Sequence, residues 1–192
     1  MTTNRLEAFS DGVLAIIITI MVLKLSAPSG DSWQALMSLA PIFFSYVISF
    51  VYVGIFWNNH HHLMQLTDNI CGSVLWANLH LLFWLSLVPF ATEWMGNNDF
   101  TPLPTAAYGW VLLMAALAWK LLQMKLLAHD ESNVRLRKAI GADWKWKISV
   151  AMYVAAIPLA FVNPWIAIAL YVGVAVLWFS PDPRIEREMH GD

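Results

Sequence analysis

The stretch Arg5–Leu25, RLEAFSDGVLAIIITIMVLKL, decides the fold. It is an apolar run long enough to cross a bilayer, which takes roughly 20 residues, yet it carries Arg5 and Asp11 in its opening turns. A charged side chain in hydrocarbon costs a few kcal/mol or more, so a span that keeps Arg5 and Asp11 has partners for them inside a bundle. Such a helix faces protein or a water-filled path. A secretory leader is the competing reading, but Glu7 and Asp11 are wrong for a basic n-region, and Leu25-Ser26-Ala27 is a poor cleavage signature.

Composition extends the reading to the whole chain. Of 192 residues 59% are hydrophobic and 12% charged, with mean hydropathy +0.58, whereas a soluble domain carries about 25% charged residues. A net charge of -2 gives no basis for nucleic-acid binding, and the single Cys71 leaves no intrachain disulfide. Six apolar runs result, at about 6–25, 38–59, 70–92, 105–127, 147–163 and 165–180. The last two are short and meet at Asn163-Pro164, a turn signal that predicts a tight hairpin. The expectation is an all-α integral membrane bundle of six helices, one domain over 1–192, with a polar loop at 128–146 able to form a short surface helix and a frayed tail from Ser180.

Basic residues set the orientation. Of eleven lysines and arginines only Lys24 falls on one side; the others flank the first run, the 128–146 loop and the tail. The positive-inside rule puts that richer face, and both termini, in the cytoplasm, as an even number of spans requires. Trp33, Trp94 and Trp165 then belong near the outer interface and Trp144 and Trp146 near the inner one.

Polar residues gather in one layer near the inner end. Arg5, Ser10 and Asp11 open the first run, Trp57, His60 and His61 close the second, and Asn78 lies about two turns into the third. Asp11 is expected to accept charge-assisted hydrogen bonds from some of these groups and so hold the first helix, or else to line an inner vestibule as a cation-attracting ring. On a helical wheel Phe9, Gly12, Ile16, Thr19, Ile20 and Leu23 form one stripe. By periodicity alone that stripe could pack on neighbouring helices or line a path. His60, His61, His62 and His80 raise a second possibility, a proton- or metal-coupled transporter. Successive side chains on a helix point about 100° apart, however, so three consecutive histidines cannot all face one ion. No HExxH or GxSxG motif and no paired intramembrane carboxylates point to an enzyme, and no cofactor is implied.

Arg5-Leu6-Glu7-Ala8-Phe9-Ser10-Asp11 resembles the RxxxFSD signature of the transmembrane protein 175 potassium-channel family in its single-repeat prokaryotic form. The similarity continues through Gly12–Ile16 and Thr19, and reappears at Trp57-Asn58-Asn59-His60-His61, Asn78-Leu79 and Pro89-Phe90. It covers the first half of the chain at motif level and the second half in hydropathy only. The resemblance implies a homotetrameric, potassium-selective or weakly selective cation channel of the cell membrane, its pore lined by the first helix and lacking a TVGYG filter. It further implies that Ile16 is the narrowest position, with Ile20 and Leu23 continuing the constriction and Thr19 adding hydroxyls. Arg5, Phe9, Ser10, Asp11, Trp57, His60, His61 and Asn78 would position that helix.

Overall fold

The computed structural model describes residues 3–67, 69–130, 133–140 and 144–179. The elements among them are all helices: α1 (Thr3–Leu23), α2 (Trp33–Met37), α3 (Ala40–Gln65), α4 (Gly72–Ser86), α5 (Val88–Asn97), α6 (Pro102–His129), α7 (Val134–Ile140), α8 (Trp144–Leu159) and α9 (Pro164–Phe179). Four stretches are long and apolar enough to cross a membrane: α1, α3, α4 with α5 taken together, and α6. At 1.5 Å per residue the 16-residue α8 and α9 each rise about 24 Å, a little short of a ~30 Å hydrocarbon core.

The helices depart from the sequence boundaries by a few residues, and in two runs the difference matters. The second runs on to Gln65, so His60, His61 and His62 lie within the helix rather than beyond its end. The third is two helices. Pro89 has no N–H to give the carbonyl four residues back, and the chain tightens there, Leu87 N bonding Trp84 O at 3.2 Å, before α5 restarts and continues to Asn97. Beyond α5, Asp99 and Phe100 take positive φ values of 47° and 58°, which turns the chain sharply into α6. Phe100 is buried in that turn against Phe44 and Trp165.

The Asn163-Pro164 hairpin is present. Asn163 Oδ1 accepts from Trp165 N at 3.0 Å and caps α9, while Pro164 occupies its first turn. The 128–146 loop holds the seven-residue α7; its residues 131–132 and 141–143, and the tail from Ser180, lie outside the described residues.

The long α6 packs against α4, α5, α8 and α9, and α3 against α1, α5 and α9. Val53, Val74, Tyr108, Ala115 and Leu122 are fully buried at the centre. Hydroxyls cross-link the helices on the α8–α9 side. Tyr153 donates to the Tyr52 hydroxyl (3.2 Å), Tyr52 to Tyr171 O (2.6 Å), and Tyr171 to Thr105 O (3.1 Å). Ser49 bonds both Thr92 (2.6 Å) and Tyr108 (3.0 Å). In lipid, where no water competes, such bonds hold helices that the hydrophobic effect alone does not drive together.

Gly109 makes the α6–α9 crossing possible, because a Cβ there would overlap the Tyr171 hydroxyl and displace it from Thr105 O. Gly109→Ala is expected to cost about 1–3 kcal/mol through overpacking and to lower the melting temperature in detergent. Gly54→Ala, where a Cβ meets nothing within 4 Å, should melt at or above the wild-type temperature.

Candidate functional site

α1 is anchored on one side only. Leu6, Ser10, Leu14, Ile17 and Met21, at spacings of three and four, are buried against α3, α4 and α5. The opposite side holds Phe9, Gly12, Ile16, Thr19, Ile20 and Leu23, all exposed on the single chain, with Ile16 at 59% and Leu23 at 75%. The predicted stripe is thus one continuous face that its own subunit does not cover. Thr19 donates its hydroxyl hydrogen to Ala15 O at 2.8 Å, so the hydroxyl oxygen is left to act as an acceptor.

The buried anchor is a chain of neutral polar groups. His60 Nε2 donates to Asn78 Oδ1 (2.8 Å), Asn78 Nδ2 donates to Ser10 Oγ (2.9 Å), and Ser10 donates back to Leu6 O (2.8 Å). All three side chains are buried, and the chain ties α1 to α4 and α3 at one level. His60 Nδ1 is buried without a partner among the described residues, which fits a neutral imidazole carrying its proton on Nε2.

Asp11 accepts from one of the groups expected of it, and the central place in the network belongs to Ser10. Asp11 stands at the edge of the buried face and accepts one bond, from the Trp57 indole Nε1 at 3.0 Å. Ser10, one residue earlier and about 100° round the helix, points into the bundle and takes the central place. Arg5 is exposed and makes no bond with Asp11 among the described residues. The first turn is held instead by a pair that sequence reasoning missed. His61 Nδ1 donates to Glu7 Oε1 at 2.7 Å, and Nε2 accepts from the Gln65 amide at 2.8 Å. Trp57 stacks on His61 with ring centroids 6.1 Å apart, joining the Asp11 and Glu7 contacts into one layer. Glu7 occupies a wildcard position of the motif, and only its α-helical spacing from Asp11 hinted that both reach the same neighbour. Thr3 adds a last tie, donating to Thr67 O at 2.7 Å.

The histidines serve separate partners: His60 faces Asn78, His61 faces Glu7 and Gln65, and His80 accepts from Trp84 Nε1 at 3.0 Å. Among the described residues no three His, Cys, Asp or Glu side chains gather closely enough to hold a metal ion.

The fold and this one-sided anchoring define an all-helical membrane protein whose first helix keeps a free face. The chain belongs to the TMEM175 family: the model for "Endosomal/lysosomal potassium channel TMEM175" matches residues 5–89. A protein of Chryseobacterium sp. (strain P1-3), described as a potassium channel, is 52% identical over 98% of both chains. A second protein so described, from Streptomyces collinus, is 29% identical over 93% of this chain and 91% of its own. The crystal structure of a lysosomal potassium-selective channel TMEM175 homolog from Chamaesiphon minutus has the same fold, with a TM-score of 0.75 at 24% identity over 92% of this chain and 96% of that one. The family is one of channels rather than enzymes.

Asn78→Ala leaves His60 Nε2 buried without its acceptor and is expected to destabilise the protein by about 1–3 kcal/mol. Asp11→Asn keeps an amide oxygen for Trp57 and should change stability by less than about 0.5 kcal/mol. Thermal melts of the two variants in detergent rank them; a larger loss at Asp11 would make its bond to Trp57 the stronger tie on α1.

Proposed function

We propose that the chain is the subunit of a homotetrameric potassium channel of the cell membrane, with six spans, both termini cytoplasmic and α1 of each subunit lining a central pore. The free face of α1 carries this reading. A helix whose far side holds Gly12, Ile16 and Thr19, and whose near side is fixed by a buried polar chain, is built to present that far side to something outside its own subunit. The interior of one subunit is filled by side chains such as Val53, Val74 and Leu122, all completely buried, so ions pass between subunits rather than through one. Closed rotational symmetry then brings the same stripe from each copy to one axis. The description of the Chryseobacterium relative as a potassium channel supports the choice of ion.

In this arrangement the Ile16 side chains form the narrowest ring, Ile20 and Leu23 extend the apolar neck outward, and Phe9 borders its inner entrance. A narrow apolar ring resists wetting, so a passing ion sheds part of its water shell. Potassium holds its water less tightly than sodium and loses it at lower cost. The Thr19 oxygens, with their hydrogens committed to Ala15 O, offer partial replacement one turn along. Ser10, Asn78 and His60, with Asp11–Trp57 and Glu7–His61 beside them, keep the ring at a fixed radius, and Arg5 lies at the cytoplasmic mouth.

Enlarging the neck by Ile16→Ala, or wetting it by Ile16→Asn, should raise conductance several-fold and bring the potassium-to-sodium permeability ratio toward unity. Liposomes holding purified protein, driven separately by potassium and sodium gradients, provide the measurement. Unaltered current and selectivity in both variants would move the filter away from α1.

A further inference from the structure

Two isolated charges from the sequence meet in space. Lys24, the lone base on its side of the chain, directly follows α1, and Glu93 lies in α5, far in sequence from the acids Glu7 and Asp11 of the first run. Lys24 Nζ and Glu93 Oε2 are 3.1 Å apart, with half and one third of their side chains exposed. Backbone bonds from Lys24 N to Met21 O and from Leu25 N to Val22 O continue the helical turn, which fixes where the lysine stem starts. On the wheel Lys24 falls between the free stripe, represented by Ile20 and Leu23, and the packed face of Ile17 and Met21. The ammonium is drawn sideways to α5, off the stripe. The neighbouring outer loops add the exposed carboxylates of Asp31 and Asp99.

We propose that Glu93 governs cation entry at the outer mouth through Lys24: the pair cancels a ring of positive charge beside Leu23 that would otherwise repel cations arriving from outside. The proposal rests on α1 lining the pore. An exposed pair of this kind contributes little to stability, so its effect belongs to the field along the ion path. Four unpaired lysines about 10 Å from an ion on the axis would lower outer-mouth cation occupancy roughly eight-fold at about 10 mM salt, and only about two-fold at about 150 mM.

Current recordings from cells expressing the channel, with external potassium at low and at high ionic strength, test this directly. Glu93→Gln should reduce inward potassium current far more than outward current, with the larger reduction at low salt. Lys24→Gln leaves Glu93 unbalanced and should raise inward current, again mostly at low salt. The double variant, neutral like the native pair, should return close to wild-type rectification. Should Glu93→Gln fail to reach the membrane, the reversed pair K24E/E93K and Lys24→Gln alone carry the same reading. Inward current and salt dependence unchanged in Lys24→Gln, or equal losses in both directions in Glu93→Gln, overturn the proposal. Ile16→Asn separates the two levels. If it alters conductance while the charge variants do not, only the role of Glu93 fails; if it too is silent, the pore reading fails.

Discussion

A buried polar group in a membrane protein must find its partner within the protein, because lipid offers none, and the Ser10–Asn78–His60 chain is where this constraint fixes the structure. Each member satisfies the next, and the chain ends on the α1 backbone at Leu6 O. Three helices are thereby held at one depth and one rotation. An apolar interface tolerates small rotations of a helix, since one methyl contact replaces another at little cost. A hydrogen bond of 2.9 Å does not, because its strength falls steeply with distance and angle. The rotation of α1, and with it the direction of Ile16, follows from that bond.

The rest of the bundle supports this placement at a distance. α6 packs on α4 and α5 and carries α8 and α9, with α9 also resting on α3. Its attachment depends on tyrosines: Tyr52, Tyr153 and Tyr171 supply both ring area and a hydroxyl, which suits a site where helices must be fixed without water. One end of the molecule is therefore joined by neutral amide and imidazole groups around α1, and the opposite flank by phenols around α6.

The acidic residues of α1 lie at the rim of the layer whose buried centre is neutral. Glu7, bonded to His61, and Lys24 with Glu93 lie toward the two ends of α1, where partial exposure lowers the cost of the carboxylates and the ammonium. The middle of the helix, from Gly12 to Leu23, has no charge at all and keeps only the Thr19 hydroxyl as a polar group on its free face.

Much of this was legible in the chain. The lengths of the apolar runs set the helices, Asn163-Pro164 set the hairpin, and the stripe through Ile16 appeared on a wheel before any neighbour was known. A wheel gives angles between residues, yet it does not say which direction faces inward. For that reason the wheel placed Ser10 and Asp11 in one polar layer without ranking them, and only the packing of α1 on α3 and α4 showed that Ser10 points into the bundle while Asp11 stays at its edge, bonded to Trp57. The break at Pro89 was written in the residues but invisible to hydropathy, which scores proline by polarity and not by its missing N–H. Pairings such as His61–Glu7 and Lys24–Glu93 join residues far apart in sequence. Local sequence determined that α1 is long and apolar enough to cross a membrane and carries a stripe through Ile16; which face is left uncovered, and which charges are paired, was decided by the helices packed around it, because burial and partnership are properties of neighbours in space.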